Sequence, residues 1–429
     1  MKQIKRKLMA VCCVFTLMTF HALSQTTTDS LKQDVEALKE EIRKLRLETA
    51  IPKIEMQSYA GLGPAASKVY YSPNGLSIAG YGEITYENYL HNTKTDRGDV
   101  LRFVPYFGYK FSDKIIMNSE LEIEHAGIGN VGEKEPEVYV EFLYLDFLLH
   151  KSFNIRTGLI LLPTSMTNEF HEPTVYYGTL RPDVERNIIP TVWREIGWMA
   201  HGELSDGLSY KVALTNGMRT DLITDWIGGG RQRGAEINFD KIASSGRLSY
   251  AGVKGLNIGV GGYYGQGSKS GGAAAKDTTA QKVATFMLAI ADAKYQIGNL
   301  SLKALYSFGN ASGDTTFEKA GISNEVDGWY AEAGYNLMSH FKSESVMAVS
   351  PFVRYEKYNL QKSVFKGTVD DKKNRTVLTV GLDFKPHPQV VIKADYQMRD
   401  TKSNLKEGKA TGKDENKIDQ FNLGVGFIF

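Results

Sequence analysis

The chain closes on "QFNLGVGFIF", residues 420–429. Phe421, Leu423, Val425, Phe427 and Phe429 occupy every second position, with Asn422, Gly424 and Gly426 between them. Side chains along a strand alternate between two faces, so this segment has one continuous apolar face and one small or polar face. Only Ile428 breaks the pattern. Such a strand suits lipid on one side and a lumen on the other. An open edge cannot survive in lipid, so the segment needs a partner strand, which "LSIAGYGEITYENYL" (76–90) offers.

The alternation recurs between these two ends. "IIMNSELEIEH" (115–125) sets Ile115, Met117, Leu121 and Ile123 against Asn118, Glu120, Glu122 and Glu124. "LSLKALYSF" (300–308) and "VVIKADYQM" (390–398) behave in the same way. Connections alternate too. Short ones fall at 112–114, 150–152, 205–207, 252–255, 298–299, 339–345 and 386–388. Long ones fall near 91–98, 126–136, 163–190, 217–230, 267–281, 312–325, 361–373 and 402–416. Seven turns and eight loops join sixteen strands if 231–254 is a single passage. The expected fold class is all-β: a transmembrane antiparallel β-barrel of about 16 strands over 76–429, with both termini on the short-turn side. A soluble sandwich would also alternate, but it has no need of long and short connections in strict rotation.

The first 75 residues differ in kind. A basic start (Lys2, Lys5, Arg6, Lys7), an apolar run from Leu8 to Phe20, and small Ala22 and Ser24 mark 1–24 as a signal peptide. Its removal takes both cysteines, Cys12 and Cys13, and four positive charges without any acid, so the formal net charge falls from +2 to −2. The basic pI therefore says nothing about an anionic partner, and no basic patch suits nucleic acid. Within 25–50, Leu31, Val35, Leu38, Ile42 and Leu45 are spaced as a heptad seam, which predicts a short N-terminal α-helical coiled coil in the periplasm. β-branched Val35 and Ile42 at one core position favour a dimer, whereas barrel porins are usually trimers; the seam is too short to choose. Residues 51–75, rich in Gly and Pro, read as a linker.

Parity assigns the lumen face. Basic candidates are Arg102, Arg156, Lys211, Arg247, Lys294, Lys303, Arg354 and Lys393. Acidic candidates are Glu120, Glu122, Glu124, Glu141, Asp292, Glu332, Glu356 and Asp395. The signs balance, so no strong ion preference follows, although Glu120, Glu122 and Glu124 close to Arg102 or Arg156 would set a field across the lumen. The longest loop, 163–190, carries Glu169, His171, Glu172, Arg181, Asp183, Glu185 and Arg186 among aromatics. A loop of that length usually has a function, and folding into the lumen as a constriction suits its composition.

"NEFHEP" (168–173), "RPDVERNIIPTVWREIG" (181–197), "GWYAEAGYN" (328–336), "PFVRYEKYN" (351–359) and "VGLDFKPHPQVVIKADYQ" (380–397) resemble the phosphate-selective porin O and P family in its broad form. The resemblance implies a sixteen-stranded barrel, usually a homotrimer, in the outer membrane of a Gram-negative-type bacterium, passing small hydrophilic solutes passively. It implies that the terminal Phe429 is an address for the barrel-assembly machinery. In the namesakes, phosphate preference rests on a crowd of pore arginines and lysines; here the balanced lumen has no such ladder.

Other chemistry finds little support. "GIGNVG" (127–132) matches a dinucleotide fingerprint but runs into Pro136 and a strand instead of a helix. His171-Glu172 lacks the second His of a zinc helix. No nucleophile–base spacing stands out, so no enzyme activity, metal or cofactor is expected. The rival readings are a plugged structural barrel, a barrel enzyme and an adhesin acting through its outer loops.

Overall fold

The computed structural model describes residues 32–41, 57–90, 95–126, 137–268, 284–313, 321–341, 346–402 and 419–429. The chain divides into two units, 1–53 and 54–429. In the first, residues 32–41 are helical, with Val35 and Leu38 42% and 56% exposed. The expected signal peptide and the seam positions Leu31, Ile42 and Leu45 lie outside the described residues.

The second unit is a closed antiparallel barrel of sixteen strands. They are β1 Gly75–Tyr89, β2 Arg97–Ser112, β3 Ile115–Glu124, β4 Val138–His150, β5 Phe153–Leu161, β6 Arg194–Ser205, β7 Leu208–Asn216 and β8 Ile242–Tyr250. The circuit continues with β9 Leu256–Ser268, β10 Ala284–Ile297, β11 Leu300–Gly313, β12 Ser323–Tyr335, β13 Ala348–Val364, β14 Asn374–His387, β15 Val390–Thr401 and β16 Gln420–Ile428. Between 231 and 254 only β8 crosses the barrel. The loop before it is longer than expected, running over 217–241, and holds a two-residue strand, Met218–Arg219, parallel to β9.

Closure follows the expected pairing of the two ends. β16 lies antiparallel to β1, with Ile84 opposite Val425 and Tyr86 opposite Leu423. Gly80 and Phe429 exchange both backbone hydrogen bonds at 2.9 Å. Phe421, Leu423, Val425 and Phe429 are exposed on the outer face, while Asn422 and Ile428 are buried on the inner one. Large apolar side chains are exposed on every strand of the barrel, Met287 and Ile297 on β10 and Val353 and Tyr355 on β13 among them. This is the two-faced pattern that lipid outside and polar groups inside require.

One stretch departs from expectation. Inside the segment read as a linker, α1 (Pro64–Tyr71) is a helix packed against β1, β2 and β3. Pro64 at its first position needs no N–H partner and has φ already set for a helix. Two shorter helices, α2 (Met166–Glu169) and α3 (Asp183–Asn187), lie in the long loop 162–193.

A filled lumen as the candidate functional site

The long loop enters the barrel, and its course is held through its backbone as well as its side chains. Asn168 staples its two ends: Nδ2 donates to the carbonyls of Leu162 and Trp193 at 2.8 and 2.9 Å, and Oδ1 accepts from Trp193 N at 2.7 Å. Wall carboxylates accept from loop amides, Asp395 from Thr179 at 2.6 Å, Glu356 from Val184 at 3.2 Å and Asp292 from Met166 at 3.2 Å. Wall cations donate to loop carbonyls, Lys393 to Gly178 at 3.0 Å, Lys385 to Thr174 at 2.8 Å and Arg354 to Leu180 at 3.3 Å. Val184, Ile188, Ile189 and Trp193 then pack with Met218, Ile223, Trp226 and Ile227 of the 217–241 loop and with β10–β14.

The other half of the lumen belongs to α1. Leu62, Ala65, Ala66 and Val69 pack on Tyr81, Val104, Tyr106, Ile116, Phe142 and Tyr144 of the wall. Val69 sits directly over Gly108, where an added Cβ would lie 2.6 Å from it. Helix and loop meet at Glu172, whose carboxylate accepts from the first free amides of α1, Ala65 N at 3.2 Å and Ala66 N at 3.0 Å. Four N–H groups at a helix start lack internal partners; Gly63 supplies no side-chain cap, and Glu172 takes that role from 106 residues away. At the other end Tyr70 donates to Asp146 at 2.7 Å, and Arg156 holds the same carboxylate at 2.8 Å. His201 contacts its second oxygen at 2.8 Å.

Burial pushes the Glu172 carboxyl up to about 8, against the pull of the Ala66 and Ala65 amides and with a smaller push from Glu120. A carboxyl raised in this way favours the docked state while it keeps its proton, and the advantage fades as pH rises from the ordinary carboxyl range through about 8. Trypsin cleavage after Lys68 should therefore be faster at pH 8.5 than at pH 6 relative to a Glu172→Gln chain, whose docking does not titrate. Identical pH profiles for the two chains would remove Glu172 as the cause.

All the candidates assigned to the lumen face inward, but few present free charge. Arg102 pairs with Glu83 at 2.6 Å and Glu122 at 3.6 Å; Arg156 with Asp146 at 2.8 Å; Arg247 with Asp292 at 2.6 Å. Arg354 pairs with Glu356 at 2.9 Å and Glu332 at 3.3 Å, Lys303 with Glu185 at 3.3 Å, and Arg194 with Glu141 at 2.8 Å. Lys211 holds Glu169 and the Ala60 carbonyl. Lys393 lies 3.7 Å from the Tyr176 ring centroid. Glu120 accepts from Tyr81 at 3.2 Å and lies 3.4 Å from His171. Glu124 is half-buried at the loop end. In the loop, Asp183 binds Arg399 at 2.6 Å, Arg186 is largely exposed, and Arg181 is half-buried with Nη1 unpartnered among the described residues. The expected transverse field is thus largely cancelled pair by pair.

Lys294 is different. It stands directly opposite Lys303 across the β10–β11 pair. Among the described residues it has no carboxylate within ion-pair distance, only the Phe170 ring at 5.8 Å. It borders a cavity of about 500 Å³ at the short-turn end, lined also by Tyr59, Glu169, Phe170, His201, Tyr210, Lys211 and Arg247. Above this cavity the lumen wall is covered: Tyr81, Glu120, Phe142, Ile160, Ala213 and Gln397 are 0% exposed, and Tyr330 and Arg354 1%. Sequence reasoning missed α1, Glu83, Asp146, Arg194 and Arg399. The inward parity of Glu83 in "GYGEITYENY" and the Gly63-Pro64 helix start were signals that could have found the first two.

No family model matches the chain. Among solved structures, it is similar to the trimer form of OmpT, an outer membrane protein of Vibrio cholerae, at 12% identity and TM-score 0.52, with 83% of this chain and 100% of that chain covered. It is also similar to Salmonella typhi OmpF in complex with daunomycin, at 13% identity and TM-score 0.50, covering 83% and 98%. At such identities the likeness shows the fold alone, and the class it defines is the porin-like β-barrel. In sequence, the chain is 34% identical over 377 residues to an uncharacterized protein of Aquifex aeolicus (strain VF5), with 84% of each chain covered. The chain belongs to the same family as that protein.

Proposed function

We propose that the protein is an outer-membrane porin that lets small hydrophilic solutes cross passively, with the short turns and the N-terminal helix in the periplasm. The observation that carries this reading is a sixteen-stranded barrel with an apolar exterior and a charged interior, narrowed by an inserted loop. Charges at that depth are tolerable only beside partners or water. A homotrimer fits the porin-like fold, and insertion would use the barrel-assembly machinery. We assign the chain no enzymatic role and no cofactor.

The resemblance to phosphate-selective porins bears on solute choice only through Lys294. With its neighbours neutralised in pairs, this one lysine at the mouth of the turn-end cavity supports a weak preference for anions, phosphate included. The porin reading is tested by reconstituting the protein in a planar bilayer and recording current; silent membranes containing folded barrel would overturn it. In a salt gradient, Lys294→Glu should move the anion-to-cation permeability ratio about fivefold toward cations, the weight of about 1 kcal/mol between unit charges some 4 Å apart in water. An unchanged reversal potential would place the permeation path away from Lys294. A second reading, a plugged barrel that serves as a structural element, is favoured by the covered lumen wall.

A further inference from the structure

The covered wall and the conducting pore are compatible if one of the two fillings can leave. Resting on the porin reading, we propose that α1 is a gate: docked, it closes the lumen along β1–β5, and solute passes when it swings out toward the short-turn end.

Three observations single out α1 in preference to the long loop. The first is connection. The loop is anchored at both ends by strands and by Asn168. Among the described residues, α1 runs into a strand only at its C-terminal end, through Ser72, Pro73 and Asn74 into Gly75, and its lead is held by the Lys211 contact to the Ala60 carbonyl. Gly75, the first residue of β1 and opposite Lys110 on β2, has φ +112°, and a Cβ there would meet nothing within 4 Å, so the junction between α1 and the strand is uncrowded on that side. The lead into α1, residues 58–61, lines the cavity at the turn end, so the helix can leave without threading past the loop.

The second is the kind of contact. Besides the apolar packing of Leu62, Ala65, Ala66 and Val69 on the wall, α1 is held by a small set of exchangeable hydrogen bonds: Glu172 to its first amides, Asn118 Nδ2 to the Ala66 carbonyl at 2.8 Å, Lys68 to the Ile78 carbonyl at 2.7 Å, and Tyr70 to Asp146. Water can replace each of these when the helix leaves. The third is what lies behind. Asn118 and Asp146 bond the helix, and Arg156 donates to its Tyr70 at 3.2 Å; its departure exposes these polar groups beside the apolar Val104, Ile116 and Phe142, and water can wet the polar part of that wall.

The geometry supplies its own lock. A Cβ added at Gly63 lies 2.8 Å from Glu172 Cγ, the place a sulfur at position 172 would take, and Gly63 has an ordinary backbone conformation at φ −61°. A Gly63→Cys/Glu172→Cys chain, with Cys12 and Cys13 replaced by Ala, should form a disulfide that pins α1 shut. In planar bilayers, oxidation is expected to lower open probability by about tenfold or more and a thiol reductant to restore it; a tenfold change in the ratio of two states corresponds to about 1.4 kcal/mol. Gly108→Val, which drives a side chain against Val69, should raise open probability. If the cross-linked chain conducts as well oxidised as reduced, α1 is not the gate and the porin reading stands. If the wild type, the reduced double variant and Gly108→Val are all silent as folded barrels, the porin reading itself fails and the gate with it.

Discussion

Replacing Phe429 with Ser should lower the amount of assembled barrel at least about tenfold while leaving the single-channel conductance of the assembled fraction unchanged. The separation follows from where the residue sits. Its backbone exchanges both hydrogen bonds with Gly80, at the seam that closes the sheet. Its ring lies outside, stacked on Phe103 at 6.3 Å and beside Phe427 at 6.4 Å, so it contributes nothing to the lumen surface. An unclosed edge in hydrocarbon leaves several backbone groups without partners, at a cost of several kcal/mol each. Folded, heat-modifiable barrel on gels and single-channel recordings would be measured together. Normal yield with altered conductance would mean the terminal ring acts on the pore and not on closure.

The second large effect is expected at Arg156. Arg156 and Asp146 are 1% and 0% exposed, and the same carboxylate receives Tyr70 of α1 and contacts His201 of β6. Arg156→Met leaves Asp146 charged and buried, which typically costs about 3–5 kcal/mol. The expected result is a lower denaturant midpoint for the barrel in detergent and rapid trypsin cleavage after Lys68. Adding Asp146→Leu removes the stranded charge and should recover most of the loss, since a buried pair replaced whole by apolar groups is often near neutral. An Arg156→Met chain as stable as the wild type would show that water reaches Asp146 and that the pair is no anchor.

The barrel was legible because its code is short. Lipid outside and polar groups inside impose a period of two, and that period survives in "IIMNSELEIEH" as plainly as in the last ten residues. Turn and loop lengths then gave the strand count. The lumen parity of Glu120, Arg156, Lys303 and Asp395 came from the same rule. What parity cannot supply is register. Lys294, Lys303, Glu332 and Arg354 form one row across four strands, and only that row reveals which cation is left without a carboxylate. α1 was hidden for another reason. Eight residues between Gly63 and Ser72 are too few to be helical alone; the helix exists because Glu172 and the wall of β1–β3 complete it, and both lie far away in sequence.

The way the wall grips the long loop has a consequence for descent. Asp395, Glu356, Asp292, Lys393, Lys385 and Arg354 bind amides and carbonyls that every residue possesses, not the side chains of Thr179, Val184, Met166, Gly178, Thr174 and Leu180. These six holds on the loop's path are therefore encoded in the strands, while Glu169, Asp183 and Glu185 add side-chain ties to Lys211, Arg399 and Lys303. Relatives can exchange the loop side chains at the six held positions, and with them the chemistry offered to a passing solute, while keeping the same trace through the barrel.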